Sequence, residues 1–275
     1  MFLKLFIIIL FSLMISQKII AFSITLLKSA GCTSKNYRGI DVVFGMGIIY
    51  IPIILISLTL AIILYLPRSL NYTPYLFIVC AIGFAGLLDD LIGIKQVKGL
   101  KNHIKSFING HLTTGFIKAF IGIIASIIIS LEISHNLIEL ILNSFNIALF
   151  TNTLNLMDLR PGRCIKVFLL FGFIILAISI SEILAFLPLL IILISSAIYM
   201  KYDLKEVCIL GDTGSNILGI TLGYFSSMSF QGNNKIIIFI ALFIINALAE
   251  KFSITRIISN NRILSFLDNL GRSSG

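Results

Sequence analysis

Apolar residues dominate nine stretches of the chain, at 4–27, 45–66, 74–91, 112–131, 137–157, 165–181, 183–200, 216–230 and 236–257, each cut from the next by a short polar segment. A helix crosses the hydrocarbon of a bilayer with about 20 mainly apolar residues. The pattern therefore predicts an all-α, polytopic membrane bundle of about nine helices. It reads as one integral-membrane domain over residues 1–275, with a C-terminal tail at 259–275. The first run follows Lys4 and so has the outline of a secretory signal. Its length, and the lack of a small-x-small cleavage site after it, favour a retained helix. Lys18 within that run lies close enough to the helix end to snorkel to the headgroups.

Composition agrees with the pattern. The chain is 58% hydrophobic and only 12% charged, with a mean hydropathy of +1.06, which excludes an ordinary soluble domain. Cys32, Cys80, Cys164 and Cys208 are scattered, with no CxxC pair, and suggest neither a zinc site nor a disulfide framework.

The net charge of +9 is unevenly distributed. With nine crossings, the loops after the first, third, fifth and seventh segments share a side with the C-terminus. They carry Lys28, Lys35, Arg38, Lys95, Lys98, Lys101, Lys105, Arg160, Arg163, Lys166, Lys201 and Lys205, and the C-terminal region adds Arg256, Arg262 and Arg272. The opposite loops hold little beyond Arg68, Glu132, Glu139, Glu182 and Lys235. The positive-inside rule makes the first group cytoplasmic, with the N-terminus outside and the C-terminus inside. The basic charge is then a topological signal and a contact for anionic headgroups, and no nucleic-acid partner is needed.

The same face collects carboxylates and amides. The third segment ends in "GFAGLLDDLIGIK" with Asp89 and Asp90; the fifth in "NTLNLMDL" with Asn152, Asn155 and Asp158; the seventh leads into "CILGDTGSNILG" with Asp212. Plainer readings exist for each. Asp89 and Asp90 can be solvated at the interface, balanced by Lys95 and Lys98. Asp212 and Thr213 can cap the eighth helix, with Gly211 and Gly214 making the turn. Asn152 and Asn155 can hydrogen-bond to a neighbouring helix. These readings leave unexplained why all three clusters reach one face, where ionisable groups at membrane depth are expensive.

The chemistry suits a divalent metal and a phosphate-rich substrate. Mg²⁺ takes oxygen ligands, keeps several waters, and bridges substrate phosphates with one or two carboxylates. Phosphoryl transfer needs in-line positioning and charge neutralisation more than a reactive side chain. A Gly-Asp-Thr-Gly turn opening a helix adds N–H groups that favour an anion. Asp89 and Asp90 point about 100° apart on a helix, so one of them reaches the reacting atoms. Asn152, Asn155 and Asp158, spaced by three, lie within one broad arc.

"LLDDLIGI", "NTLNLMDL" and "GDTGSNILG", in this order, together with "FGMGI" at 44–48, resemble the polyprenyl-phosphate N-acetylhexosamine-1-phosphate transferases, the MraY/WecA/TagO-like group. The resemblance covers nearly the whole chain. It implies transfer of a sugar-1-phosphate from a UDP-sugar to undecaprenyl phosphate, with release of UMP, at a Mg²⁺-dependent cytoplasmic site in the bacterial cytoplasmic membrane, as in peptidoglycan and other cell-wall synthesis. By that resemblance Asp212 holds Mg²⁺ and Asp89 deprotonates or orients the lipid phosphate. Asp90, Asn152, Asn155 and Asp158 complete the site, and Lys105 binds phosphate. The implied partners are the polyprenyl phosphate, the nucleotide sugar and the membrane, with a homodimer left open.

Two departures stand out. Where the family typically reads Asp-Gly-x-Asp-Gly, this chain reads "DLRPG", with Pro161 in place of the second Asp. Pro161 cannot supply the hydrogen bonds of that Asp to the uracil, which implies a more loosely read base. The family's His-rich motif is also missing, the chain's histidines being His103, His111 and His135. Arg160, Arg163, Arg256 and Arg262 are candidate replacements for phosphate contacts. The tail, with Ile263, Leu264, Phe266 and Leu267, is expected on the inner leaflet. Three readings follow: an active divergent transferase, a non-catalytic relative that binds lipid phosphate or scaffolds envelope-glycan enzymes, and a transporter. Against the last, the polar clusters sit at one face rather than the midplane, and no inverted repeat is visible.

Overall fold

A computed structural model describes residues 2–64, 70–93 and 100–272, apart from the side chains of Leu100, Lys101 and Ile104. Arg68, Lys95, Lys98 and the side chain of Lys101 lie outside the described residues. The architecture is almost wholly helical: α1 Phe2–Ser29, α2 Tyr50–Ile63, α3 Thr73–Ile92, α4 Leu100–Ile108, α5 Thr114–Ile133, α6 Leu137–Met157, α7 Arg163–Ile178, α8 Leu187–Leu204, α9 Gly211–Ser229, α10 Asn233–Lys251, α11 Ile254–Asn260 and α12 Arg262–Asn269.

Among the described residues, seven helices are long and apolar enough to cross a membrane: α1, α2 with the 3-10 turn before it (Met46–Ile63), α3, α5, α6, α8 and α10. The chain is thus an all-α, multi-pass membrane protein. The other two apolar runs form α7, which is only 16 residues long, and α9, which carries Asp212, Thr213, Ser215 and Asn216 among its apolar residues. α9 is the hub of the bundle, packed against α3, α5, α6, α7 and α8. Every residue from Thr213 to Gly223 is buried. A helix enclosed by protein has no lipid-facing side to keep apolar, so small and polar residues are tolerated there.

Glycines set how closely α9 is approached. A Cβ on Gly219 would lie 2.4 Å from Thr151 Cα, and one on Gly223 would lie 2.6 Å from Ile147 Cα, so this Gly-x-x-x-Gly pair seats α6 directly on α9. At its other end, a Cβ on Gly86 of α3 would meet Thr213 Cα at 2.6 Å, and one on Gly47 would meet the Gly214 backbone nitrogen at 1.9 Å.

Three boundaries differ from the sequence pattern. The eighth run begins at Gly211 rather than 216, because Asp90 caps the extra turn from another helix. The ninth breaks at Phe252, whose extended backbone separates α10 from α11. Between α1 and α2 the chain forms a hairpin, β1 Thr33–Lys35 with β2 Asp41–Val43. The segment before α9 continues this hairpin: Ile209 N–H donates to Val43 O (2.7 Å), and Gly47 N–H donates to Leu210 O (2.9 Å). That pairing anchors the chain just ahead of the α9 N-terminus.

Candidate functional site

The ends of α3, α6 and α9 and the first turns of α5 meet at one end of the bundle. Asp89, in the last turn of α3, accepts from Thr114 Oγ1 (2.6 Å) and from Lys118 Nζ (2.7 Å), both on α5. The same Lys118 ammonium donates to Asp212 in the first turn of α9. Asp158, the C-cap of α6, accepts from Gly211 N–H (3.1 Å). Asn155 accepts from Ser215 Oγ (3.2 Å). Helices that are distant in sequence thus bring Asp89, Asn155, Asp158 and Asp212 together. The side chains of Asp89, Lys118 and Asp212 are 17%, 18% and 28% exposed, so the group is sunk into the bundle but reachable.

Asp90 turns away from Asp89, as adjacent positions on a helix must. Its carboxylate accepts from Asp212 N–H (2.8 Å), Thr213 N–H (3.0 Å) and Thr213 Oγ1 (2.6 Å). These contacts satisfy orphan donors of the α9 first turn and place a negative charge at the positive end of its dipole. Gly211, at φ +77°, makes this possible, since a Cβ there would lie 2.6 Å from Asp90 Oδ2. Asp90 thereby fixes the position of Asp212, and the capping role that the sequence offered to Asp212 and Thr213 is filled by a residue of α3.

Asp158 also lines a cavity of about 70 Å³ with Arg160, Pro161, Asp203, Glu206 and Tyr37. Burial, then the neighbouring carboxylates of Asp203, Asp212 and Asp90, push the Asp158 carboxyl well above the usual range, against the lowering effect of Gly211 N–H. Glu206, at φ +55°, accepts from Asn36 Nδ2 (2.7 Å) and Tyr37 OH (2.9 Å), tying the α8–α9 loop to the hairpin. The Arg160 guanidinium stacks 4.2 Å above the Tyr37 ring.

The remaining expected site residues are placed differently. Asn152 is exposed and donates to Asn246 Oδ1 on α10 (2.6 Å), the helix–helix bond of the plainer reading. Lys105 is exposed on α4, and the lysine at the carboxylates is Lys118 instead. Arg163, expected to contact phosphate, is 4% exposed and committed elsewhere. Its Nε and Nη2 bind Asp268 of α12 as a fork, both at 2.8 Å, and Nη1 donates to Thr255 Oγ1 (3.1 Å). Arg272 completes the arrangement, with Nη2 2.7 Å from Asp268 Oδ1 and Nε donating to Pro161 O (2.8 Å). Arg163 thus ties α7 to the C-terminal helices. Ile263, Leu264, Phe266 and Leu267 of α12 remain exposed.

Lys118 is the residue the sequence reading passed over. Its signal was an ionisable group inside the apolar run at 112–131, a position that by default marks a functional site.

Among the described residues, no group of three or more His, Cys, Asp or Glu side chains is arranged to hold a metal ion by itself. Mg²⁺ does not need such a set when substrate phosphates and water supply its other ligands. The donor chemistry at Asp212 and Asp89 fits on this basis, since one cation, the Lys118 ammonium, already bridges the two carboxylates. Among known proteins, no family model matches this chain, and a search of curated proteins finds no match.

Proposed function

We propose that this chain is a nine-span membrane transferase that moves a sugar-1-phosphate from a nucleotide sugar, with UDP as its carrier, onto a polyprenyl phosphate. The lipid phosphate oxygen forms a new bond to the sugar-bearing phosphorus, the pyrophosphate bridge breaks, and nucleoside monophosphate leaves. The reading follows the resemblance to the polyprenyl-phosphate N-acetylhexosamine-1-phosphate transferases. It places the chain in a bacterial cytoplasmic membrane, in cell-envelope glycan synthesis, with the carboxylate end facing the cytoplasm. The observation that carries it is the meeting of Asp89 and Asp212, from two helices, on Lys118 of a third, with Asp158 of a fourth held against the first turn of the Asp212 helix.

In this reading Asp212 would hold Mg²⁺, and the ion would supply charge neutralisation for phosphoryl transfer. Asp89 orients the acceptor phosphate or takes its proton. Lys118, released from Asp212, supplies positive charge to the acceptor phosphate. Asp90 keeps the α9 turn, and with it Asp212, in place. Arg160 is left near the donor, while Pro161 imposes no hydrogen-bond requirement on the base, so nucleotide selectivity is expected to be loose.

A second reading, a non-catalytic relative that binds polyprenyl phosphate, is favoured by the Lys118 ammonium bridging Asp89 and Asp212, which engages both carboxylates that the transfer chemistry would use. The two separate in one assay. Purified protein is given Mg²⁺, undecaprenyl phosphate and radiolabelled UDP-sugars and other nucleotide sugars. Mg²⁺-dependent passage of label into the organic phase supports the transferase, and no passage with any donor supports the binding protein.

A further inference from the structure

At the end of the bundle opposite the carboxylates, the α5–α6 and α9–α10 connections border an open cavity of about 680 Å³. One wall is polar, with His135, Asn136 and Gln231, and the other is apolar, with Ile138, Leu142 and Ile236. Between them lies a partly buried ion pair: Lys235 of α10 is 4% exposed and donates through Nζ to Glu139 of α6, itself 22% exposed. Glu139 also accepts from His135 N–H (3.0 Å), and Asn146 Nδ2 donates to Lys235 O (3.1 Å). Ser227 lines the same cavity, and its buried Oγ has no hydrogen-bond partner among the described residues.

Two features point to a ligand. Sinking the Lys235 ammonium is costly, and an apolar residue of similar volume would serve stability as well or better. Within a membrane protein, such groups mark functional sites. The pair also borders open volume on one side and an apolar wall on the other. The pocket therefore presents one cation, one anion and a greasy surface within the reach of a single molecule. A ligand of net charge would be attracted by one member of the pair and repelled by the other, whereas a zwitterion can align a charge of opposite sign with each.

We propose that this cavity binds a phosphate ester carrying a primary amine, presented as the headgroup of a membrane phospholipid. The phosphate lies toward Lys235 and His135, the ammonium toward Glu139, and the first methylenes of the acyl chains against Ile138, Leu142 and Ile236. The site is independent of the transferase reading and lies at the other end of the same helices.

The test is native mass spectrometry of the full chain released from detergent and titrated with dioctanoyl phosphatidylethanolamine, dioctanoyl phosphatidylglycerol and soluble phosphoethanolamine. The wild type is expected to retain one phosphatidylethanolamine at least 5-fold more tightly than the other two. Glu139→Gln and Lys235→Gln are each expected to erase that preference. Gln231→Trp, an exposed change at the cavity rim that leaves the charges intact, is expected to weaken retention at least 5-fold, and it decides the matter if the charge variants do not fold. Equal retention of the two lipids, or unchanged retention in Gln231→Trp, overturns the proposal. Equal binding of soluble phosphoethanolamine overturns the membrane lipid as the source.

Discussion

Around Lys118, two carboxylates (Asp89 and Asp212) meet one ammonium. Around Asp268, one carboxylate meets two guanidiniums, and both of its oxygens are held by forked hydrogen bonds from Arg163 and Arg272. Both groups are sunk in the same end of the bundle, yet they are built for different ends. The Asp268 latch is saturated. Each Arg163 nitrogen has a partner, and Lys166 Nζ adds bonds to Leu267 O (3.0 Å) and Asp268 O (2.8 Å), the last carbonyls of α12. At Lys118, by contrast, one ammonium serves two carboxylates, so the group is not balanced by its own members. A buried excess of one sign is expensive and persists where a ligand of the opposite sign completes it. On the proposed function, this difference separates a structural charge cluster from the site of chemistry.

The comparison breaks most visibly at Lys118. Lys118→Met leaves Asp89 and Asp212 facing each other with no cation, a loss of about 3–5 kcal/mol by analogy with other broken buried pairs. Thermal unfolding in detergent should show a large fall in Tm, partly recovered in the double variant Lys118→Met with Asp89→Asn. An unchanged Tm in the single variant would mean that the carboxylates share their charge in some other way.

The latch predicts a smaller effect with a distinct pH signature. Burial raises the Asp268 carboxyl, but the bonds from Arg163 and then Arg272 outweigh it and hold the pKa down at about 2, against 3.8 for the free group. A depressed acid stabilises the fold fully above its unfolded pKa and loses that contribution as pH falls through its folded pKa. The contribution, about 2 kcal/mol, should therefore be complete above about pH 4 and drain away toward pH 2. Wild type and Asp268→Asn should differ in Tm at pH 7 and converge near pH 2. A difference that stays constant across this range would contradict the assignment.

Asp90 gives the smallest stability effect. Asp90→Asn keeps one acceptor for the α9 first turn but loses charge at the dipole, for a cost of about 1 kcal/mol. Transfer should fall because Asp212 is displaced, with more effect on kcat than on KM for the lipid acceptor. A rise in KM with kcat intact would place Asp90 in contact with the lipid instead.

Much of this was legible in the sequence. The apolar runs coincide with helices because lipid demands that each span satisfy its own backbone, and three motifs marked by Asp and Asn ended at one face because each closed or opened such a run. What was hidden depended on pairings across the chain. Lys118 sits in a run whose overall hydropathy masks it, and its partners are 29 and 94 residues away. Arg163 looked available for phosphate because Asp268 lies 105 residues further on, in a tail whose exposed apolar residues suggested a lipid surface. The cap on α9 was sought in its own first turn, whereas the capping side chain comes from α3, 122 residues earlier. Short-range pattern reports which groups must be buried; only the fold decides which of them meet.

The most direct measurement removes one carboxylate charge from each group and compares the results. Asp212→Asn and Asp268→Asn are matched for Tm by choice of temperature, then assayed for Mg²⁺-dependent transfer of radiolabelled sugar-1-phosphate to undecaprenyl phosphate. The account predicts that Asp212→Asn loses at least about 100-fold in turnover, the scale of removing one preorganised charge from a phosphoryl-transfer site, while Asp268→Asn stays within about 3-fold of wild type. Equal activity in the two variants, or an active Asp212→Asn at saturating Mg²⁺, would contradict the claim that the unbalanced cluster is the site of chemistry.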